Sequence, residues 1–219
     1  MREVALLMVS QRVHFISGEI DESSVESLRS FLSWAEAVPT DEVVVVINSE
    51  GGDVRCAFEM YSMLRLSSLS SRIRTFCWRA AMSSAVVVAQ GASAGRRDVM
   101  FDCFYYIHRC FSTVSDGFVG DFERVIAQLR ECDDTLVRIL TSHHGDQAGI
   151  IEVLDANSES GGDGYGFLSQ QDLLRLGLAD TIVEVNPYVE ARVSRCRGRW
   201  SRFSLSCRLV FRRVRRLFW

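Results

Sequence analysis

Hydrophobic and polar positions along the chain form two kinds of segment that follow one another in turn. Mainly apolar segments that predict strands occupy residues 13–16, 43–47, 73–78, 99–107 and 181–185, and the continuous β-branched run at 43–47 is typical of a strand buried on both faces. Segments with apolar residues at helical spacing occupy residues 23–34, 57–66, 83–89, 121–140 and 173–176. Because strands that alternate with helices build a parallel sheet covered by helices, the pattern predicts an α/β layered fold with mainly parallel strands.

Glycine-rich and polar stretches mark the ends of these elements. Gly51-Gly52 predicts the end of the second strand, and Ser23 or Ser24 predicts the cap of the first helix. Residues 157–166 (NSESGGDGYG) have the composition of a loop.

The charge is distributed unevenly and divides the chain into two parts. Residues 187–219 hold ten of the 25 basic residues and one acid, so residues 1–186 carry a formal charge of −12. We therefore expect a folded domain over 1–186 and a basic tail over 187–219. In the tail, apolar residues from Cys207 to Phe218 fall on one face of a helix and arginines cover the other face. Such a helix is expected to contact a membrane surface or a neighbouring subunit.

Composition excludes several classes of chemistry. All 25 basic residues are arginine, which excludes a lysine base and a Schiff base. The seven cysteines are irregularly spaced without a CxxC pair, so the sequence indicates no zinc site, no disulfide framework and no cofactor. The sequence contains no long uncharged apolar run and no secretory signal, so we expect the protein in the cytoplasm or in an organelle stroma or matrix.

Two turns from strand to helix and one histidine carry the candidate chemistry. INSEGGD (47–53) places paired glycines after a buried strand, where bare N–H groups can hold an oxyanion or simply form a tight turn. WRAAMSSA (78–85) places two serines at the start of a helix, either as a nucleophile or as small residues for close packing. His108 ends an aromatic strand, and with no lysine in the chain, histidine is the base that a serine nucleophile would use.

Five motifs in order resemble the ClpP serine peptidases, the proteolytic subunits of ATP-dependent Clp proteases. They are GEID (18–21), INSEGGD, TFCWRAAMSSA (75–85), YYIHRC (105–110) and FLSQQDLLRLGLADTIV (167–183). The resemblance implies a ClpP/crotonase-type fold of repeated βα units, with a long handle-like helix at 121–140. It also implies self-association into heptameric rings, single or stacked, that enclose unfolded polypeptide substrates. An AAA+ unfoldase is the implied partner, although the N-terminal segment that meets it in the family is mostly missing from this sequence.

The nucleophile depends on the register of this resemblance. Anchoring on Gly91 puts Met82 at the nucleophile position and implies an inactive protein, whereas the ungapped register from Thr75 puts Ser83 there. The ungapped register also aligns His108 with the catalytic histidine of the family. It therefore implies Ser83 as nucleophile and His108 as base.

The same register implies the remaining members of the site. The N–H groups of Gly52 and Ser84 would form the oxyanion hole. The aspartate position of the family is occupied by Tyr165, so Asp163, two residues earlier, is the candidate third member, and Asp155 is an alternative.

The predicted function is a serine endopeptidase that forms an acyl-enzyme on Ser83. One alternative is a catalytically weak or inactive ring subunit, favoured by Tyr165 and by the altered turn before Ser83. A second is a crotonase-type acyl-CoA enzyme, which shares the fold and the oxyanion hole.

Overall fold

A computed structural model describes residues 11–38, 42–113, 116–143, 146–159 and 166–184. The strands in these ranges are β1 (Gln11–Ile20), β2 (Glu42–Gly52), β3 (Ile73–Met82), β4 (Arg97–Met100), β5 (Phe104–Tyr106) and β6 (Thr181–Val183). The helices are α1 (Glu22–Glu36), α2 (Val54–Leu66), α3 (Ser84–Ala89), α4 (Val119–Leu140), α5 (Gln147–Glu159) and α6 (Gln170–Arg175). The tail at 187–219, its boundary with the preceding domain, Asp163 and Tyr165 lie outside the described residues.

The strands form one sheet in the order β1-β2-β3-β4-β6, and β5 pairs with β3 beside this path. All five strand pairings in the described ranges are parallel, which confirms the α/β architecture predicted from the alternating pattern. Side chains of β2 from Val43 to Ile47 are buried on both faces of the sheet, as its β-branched run predicts. No helix in the described ranges has the length and apolar character needed to cross a bilayer.

β3 changes its partner part-way along its length, and this change shapes one edge of the sheet. Its first half, from Thr75 to Cys77, pairs with β4, whereas Ala80 to Met82 pair with β5. The predicted strand at 99–107 is therefore wrong as a single element, because the chain must cross from one pairing to the other between β4 and β5. The carboxyl ends of β2, β3 and β5 consequently meet at one edge.

Three further boundaries differ from the sequence prediction. Asp21 caps α1 by accepting the N–H of Ser24 at 2.9 Å, in place of the predicted serine caps. β2 continues through the paired glycines to Gly52. Helix α5 was not predicted and includes residues 157–159 of the predicted loop, because its fully buried apolar residues, Ile150 and Leu154, form too short a stripe to stand out.

A buried ion pair stabilises the start of β4. The guanidinium of Arg97 pairs with Asp180 at 2.6 Å and also donates to Gln90 and to the Gly177 carbonyl, each at 2.6 Å. Gln90 in turn donates to the hydroxyl of Tyr105 at 3.1 Å. This network joins the end of α3, two strands and the turn after α6, so it stabilises the frame that carries the site.

Candidate active site

Ser83 lies at the turn between β3 and α3. Its backbone has φ 54° and ψ −129°, and it is the only non-glycine residue with positive φ in the described part of the chain. Its N–H donates to the carbonyl of Tyr106 at 2.9 Å, which ties the turn to the end of β5. A serine held in a strained strand-to-helix turn projects its hydroxyl away from the sheet, as in hydrolases that use this turn for their nucleophile.

His108 lies two residues after the end of β5 and reaches this hydroxyl. Its Nε2 atom lies 2.9 Å from Ser83 Oγ. The rings of Tyr106 and Phe111 flank the imidazole, each with its centroid 5.5 Å from that of the imidazole. The structure thus brings together the two residues that the ungapped register selected 25 positions apart.

The hydrogen bond of His108 Nδ1 determines which of the two ring nitrogens carries the proton. Nδ1 lies 2.6 Å from the carbonyl oxygen of Arg109. Because a carbonyl only accepts hydrogen bonds, Nδ1 must donate, and the neutral ring then leaves Nε2 unprotonated. Nε2 is therefore the acceptor for the Ser83 hydroxyl, which is the tautomer that a general base requires.

The paired glycines of β2 allow close approach of two neighbouring parts of the chain, Ser83 at Gly51 and Ile20 at Gly52. A Cβ atom at Gly51 would lie 2.7 Å from Ser83 Cβ, and one at Gly52 would lie 2.7 Å from Ile20 N. Both residues have positive φ, at +107° and +152°. Only glycine combines such backbone angles with such close approach, so the pair does more than form a turn.

Gly52 and Ser84 line the same cavity as Ser83. Ser84 is the first residue of α3, and the first N–H groups of a helix have no partner within it. These two positions are therefore suited to present N–H groups to an oxygen near Ser83.

A cavity of about 680 Å³ opens beside Ser83 and His108. One wall is formed by α4, and the polar rim includes Arg55, Gln128 and Glu131. The apolar residues that line it are Val54, Phe58, Ile107, Phe111, Val125, Leu129 and Leu136. A mostly apolar cavity of this size accommodates a large side chain of a peptide.

Cys110 also borders the cavity but is unsuited to be the nucleophile. Burial, reinforced by the carboxylate of Asp133, raises the pKa of its thiol to about 12. Because the thiolate is the reactive form of cysteine, this thiol is almost entirely inert near neutral pH.

In the structure, the Asp155 carboxylate forms an ion pair with Arg109 and not with His108. Its carboxylate accepts from Nε and from Nη2 of Arg109, both at 2.8 Å. The alternative that made Asp155 the partner of the imidazole is therefore wrong, because the arginine takes up this carboxylate. Sequence reasoning did not anticipate the role of the Arg109 carbonyl, since every residue has a carbonyl and no side-chain pattern distinguishes this one.

The model of the family described as Clp protease matches residues 2–186. The chain belongs to the Clp protease family. This result confirms the resemblance drawn from the five motifs, and the parallel sheet with its covering helices is consistent with the ClpP fold. Membership in the Clp protease family supports peptide-bond hydrolysis as the class of activity.

Curated relatives in the Clp protease family align with most of the chain. ATP-dependent Clp protease proteolytic subunit 4 of Rhodococcus jostii is 25% identical over 177 residues, covering 80% of this chain and 86% of that protein. Proteolytic subunit 1 of Rhodopirellula baltica is 26% identical over 185 residues, covering 84% and 77%. Proteolytic subunit 2 of Mycobacterium bovis is 24% identical over 179 residues, covering 81% and 79%.

Proposed function

We propose that the protein is a serine endopeptidase that cleaves unfolded polypeptides or peptides through an acyl-enzyme on Ser83. The observation that carries this proposal is the 2.9 Å contact between Ser83 Oγ and His108 Nε2, in the tautomer that accepts a proton. The strained turn at Ser83 and the adjacent apolar cavity support the same function.

The reaction follows from these positions. Ser83 Oγ attacks the peptide carbonyl while its proton passes to Nε2 of His108. The N–H groups of Gly52 and Ser84 hold the negative oxygen that develops. The imidazolium then gives its proton to the leaving amine, and an acyl-enzyme remains on Ser83. Water, deprotonated by the same imidazole, releases the acid and restores the serine.

The relatives suggest the setting of this reaction. They are named proteolytic subunits of an ATP-dependent protease, so we propose that this chain assembles into rings, with heptamers as the expected size. In such a chamber only unfolded chains or short peptides reach the site, and an AAA+ unfoldase would supply them. The cytoplasm or an organelle interior remains the predicted compartment.

The third member of the site stays a prediction. Asp163 remains the candidate from the sequence, and it lies outside the described residues. Within the described part of the chain, the polar contact of His108 Nδ1 is made by a carbonyl. That observation favours a second candidate function, a ring subunit with weak or no activity, because a carbonyl lacks the full charge of a carboxylate.

A fluorophosphonate probe distinguishes these functions. Intact mass is measured on the full chain and on its Ser83→Ala variant, followed by digestion to locate the adduct. Ser93→Ala is the matched control, because Ser93 lies near Ser83 in sequence while its hydroxyl donates to the Ser70 carbonyl at 3.2 Å. We expect one adduct that is lost only in Ser83→Ala. Absence of an adduct on assembled wild-type protein would overturn the peptidase proposal and favour the structural subunit.

A further inference from the structure

A peptide carbonyl accepts a hydrogen bond from the protonated Nδ1 of His108, and this has chemical consequences. An aspartate in that place fixes the tautomer of the histidine and also stabilises the imidazolium that forms. The Arg109 carbonyl, at 2.6 Å, does the first of these tasks and contributes a dipole to the second. It can do so only if the peptide group between Arg109 and Cys110, which carries this carbonyl, keeps its orientation.

The N–H of this peptide group donates to Asp133 on α4 at 2.8 Å, and helix α5 holds the preceding residue, Arg109, at several points. Ser158 Oγ accepts the N–H of Arg109 at 3.0 Å and donates to the Leu154 carbonyl at 2.7 Å. The carboxylate of Asp155 takes two hydrogen bonds from the Arg109 guanidinium, each 2.8 Å long. The backbone and the side chain of Arg109 are thus both anchored to one helix.

The residue before the histidine is anchored to the same helix. Asn157 Nδ2 donates to the Ile107 carbonyl at 2.7 Å, and the Tyr106 hydroxyl donates to the Asn157 carbonyl at 3.4 Å. Asn157 is 8% exposed, so water competes little for these bonds. The backbone on both sides of His108 is therefore held by α5.

We propose that Asp155, Asn157 and Ser158 are positioning residues that fix the Arg109 carbonyl, and that this carbonyl orients His108 in place of a carboxylate. The inference rests on the proposed peptidase function. The three residues act through the main chain around His108, and they take no part in proton transfer themselves.

Asp155 provides the clearest test of this role. Its side chain is 52% exposed and that of Arg109 is 27% exposed, and ion pairs this open to water add little to folding stability. Loss of the Asp155 carboxylate should therefore alter the site much more than the fold. Asn157 is less suitable, because a buried amide with several partners also supports folding.

The experiment uses the assembled full-length protein and three variants. Asp155→Ala removes the anchor, Asp155→Glu keeps its charge, and Glu152→Gln changes an exposed acid one turn earlier on the same helix. For each we would measure the rate of inactivation by fluorophosphonate, kcat and KM on a peptide substrate, and the thermal midpoint.

We expect Asp155→Ala to lower kcat and the inactivation rate by about tenfold or more, a part of what general-base catalysis contributes. KM should stay within about twofold, because only the chemical step depends on the imidazole. The thermal midpoint should stay within about 2 °C, Asp155→Glu should recover part of the rate, and Glu152→Gln should match wild type.

Three outcomes would overturn the inference. Wild-type rates in Asp155→Ala would do so, as would a loss of rate that simply follows a large fall in thermal midpoint. If Asp163→Asn lost activity while Asp155→Ala kept the wild-type rate, Asp163 would be the residue that orients His108. If wild-type protein fails to react with the probe, the peptidase proposal falls and this inference falls with it; if wild type reacts and Asp155→Ala reacts equally fast, only the inference fails.

Discussion

Gly51 controls the space in which Ser83 sits. A Cβ atom there would lie 2.7 Å from Ser83 Cβ and 2.9 Å from the Met82 carbonyl oxygen. These distances are shorter than real Cβ contacts, so a side chain at this position must displace the turn that carries the hydroxyl. The hydroxyl and the imidazole are matched at 2.9 Å, and a displacement of a few tenths of an ångström weakens that contact.

We therefore expect Gly51→Ala to lower the rate of fluorophosphonate labelling by about tenfold or more, since precise placement of reacting groups governs such rates. An alanine at the positive φ of position 51 also has a conformational strain of about 1–3 kcal/mol, which should appear as a lower thermal midpoint. Gly95→Ala is the matched control, because Gly95 has φ +81° but nothing within 4 Å of the added Cβ. It should lose stability and keep the labelling rate. Labelling of Gly51→Ala at the wild-type rate would contradict the steric role.

Residue types and spacing predict part of this site and miss another part. Ser83 and His108 could be chosen because nucleophile and base are defined by their side chains and end neighbouring strands. The acceptor for His108 could not, because a main-chain carbonyl leaves no trace in the sequence. Ser158 was missed for a related reason: it lies in a segment whose glycines and serines predict a loop, although α5 continues to Glu159.

At the scale of elements, β3 has two functions. Its first half lies in the middle of the sheet, and its second half turns away to pair with β5. This divergence separates the carboxyl end of β3 from β4 and leaves space for the turn at Ser83. The mainly apolar segment at 99–107 predicts one strand because β4 and β5 both contribute buried side chains, such as Val99 and Tyr105, and hydrophobicity alone does not mark the break between them.

The Arg97–Asp180 pair makes a prediction about acid stability. Burial raises the pKa of Asp180, but the hydrogen bonds and charge of Arg97 outweigh it and hold that pKa below its ordinary value of 3.8. The folded-state pKa lies below the unfolded one. The pair therefore adds stability at neutral pH, and this contribution is lost as the pH falls through the folded-state pKa.

Asp180→Asn should lower the free energy of unfolding by about 3 kcal/mol or more at pH 7, because it leaves a guanidinium that is 4% exposed without its charge partner. The difference in thermal midpoint from wild type should narrow as the pH falls below the ordinary aspartate value of 3.8 toward the lower folded-state pKa of Asp180. Glu152→Gln, at an exposed acid, is the control and should follow wild type at every pH. If the difference in thermal midpoint between Asp180→Asn and wild type stayed constant down to pH 3, the variant would act through altered packing and not through the lost charge.

At the scale of the whole molecule, α4 presents apolar side chains to solvent. Phe118 before the helix and Val119 at its start are 86% and 74% exposed, and Phe122 and Ile126 follow on successive turns. Exposed apolar patches of this kind mark association surfaces. The handle role that the resemblance implies for this helix remains a prediction, and the exposed side chains provide its test.

We expect Phe118→Ser combined with Phe122→Ser to shift the protein toward smaller assemblies, because two aromatic side chains are removed from the association surface. Mass photometry over a range of protein concentrations measures this shift. Leu66→Ser is the control, since Leu66 is 85% exposed at the end of a different helix. An unchanged mass distribution in the double variant would exclude α4 as the contact between subunits.

The hydrogen bond from His108 to the Arg109 carbonyl also bears on how such a protein evolves. Every amino-acid residue has a main-chain carbonyl, so no amino-acid substitution at position 109 deletes the acceptor. Substitution there, or at Asp155 46 residues further along, loosens the anchoring and leaves the acceptor in place. Mutations at either position would then give graded losses of activity. A lineage with this arrangement can reduce proteolysis in small heritable steps without having to abolish it.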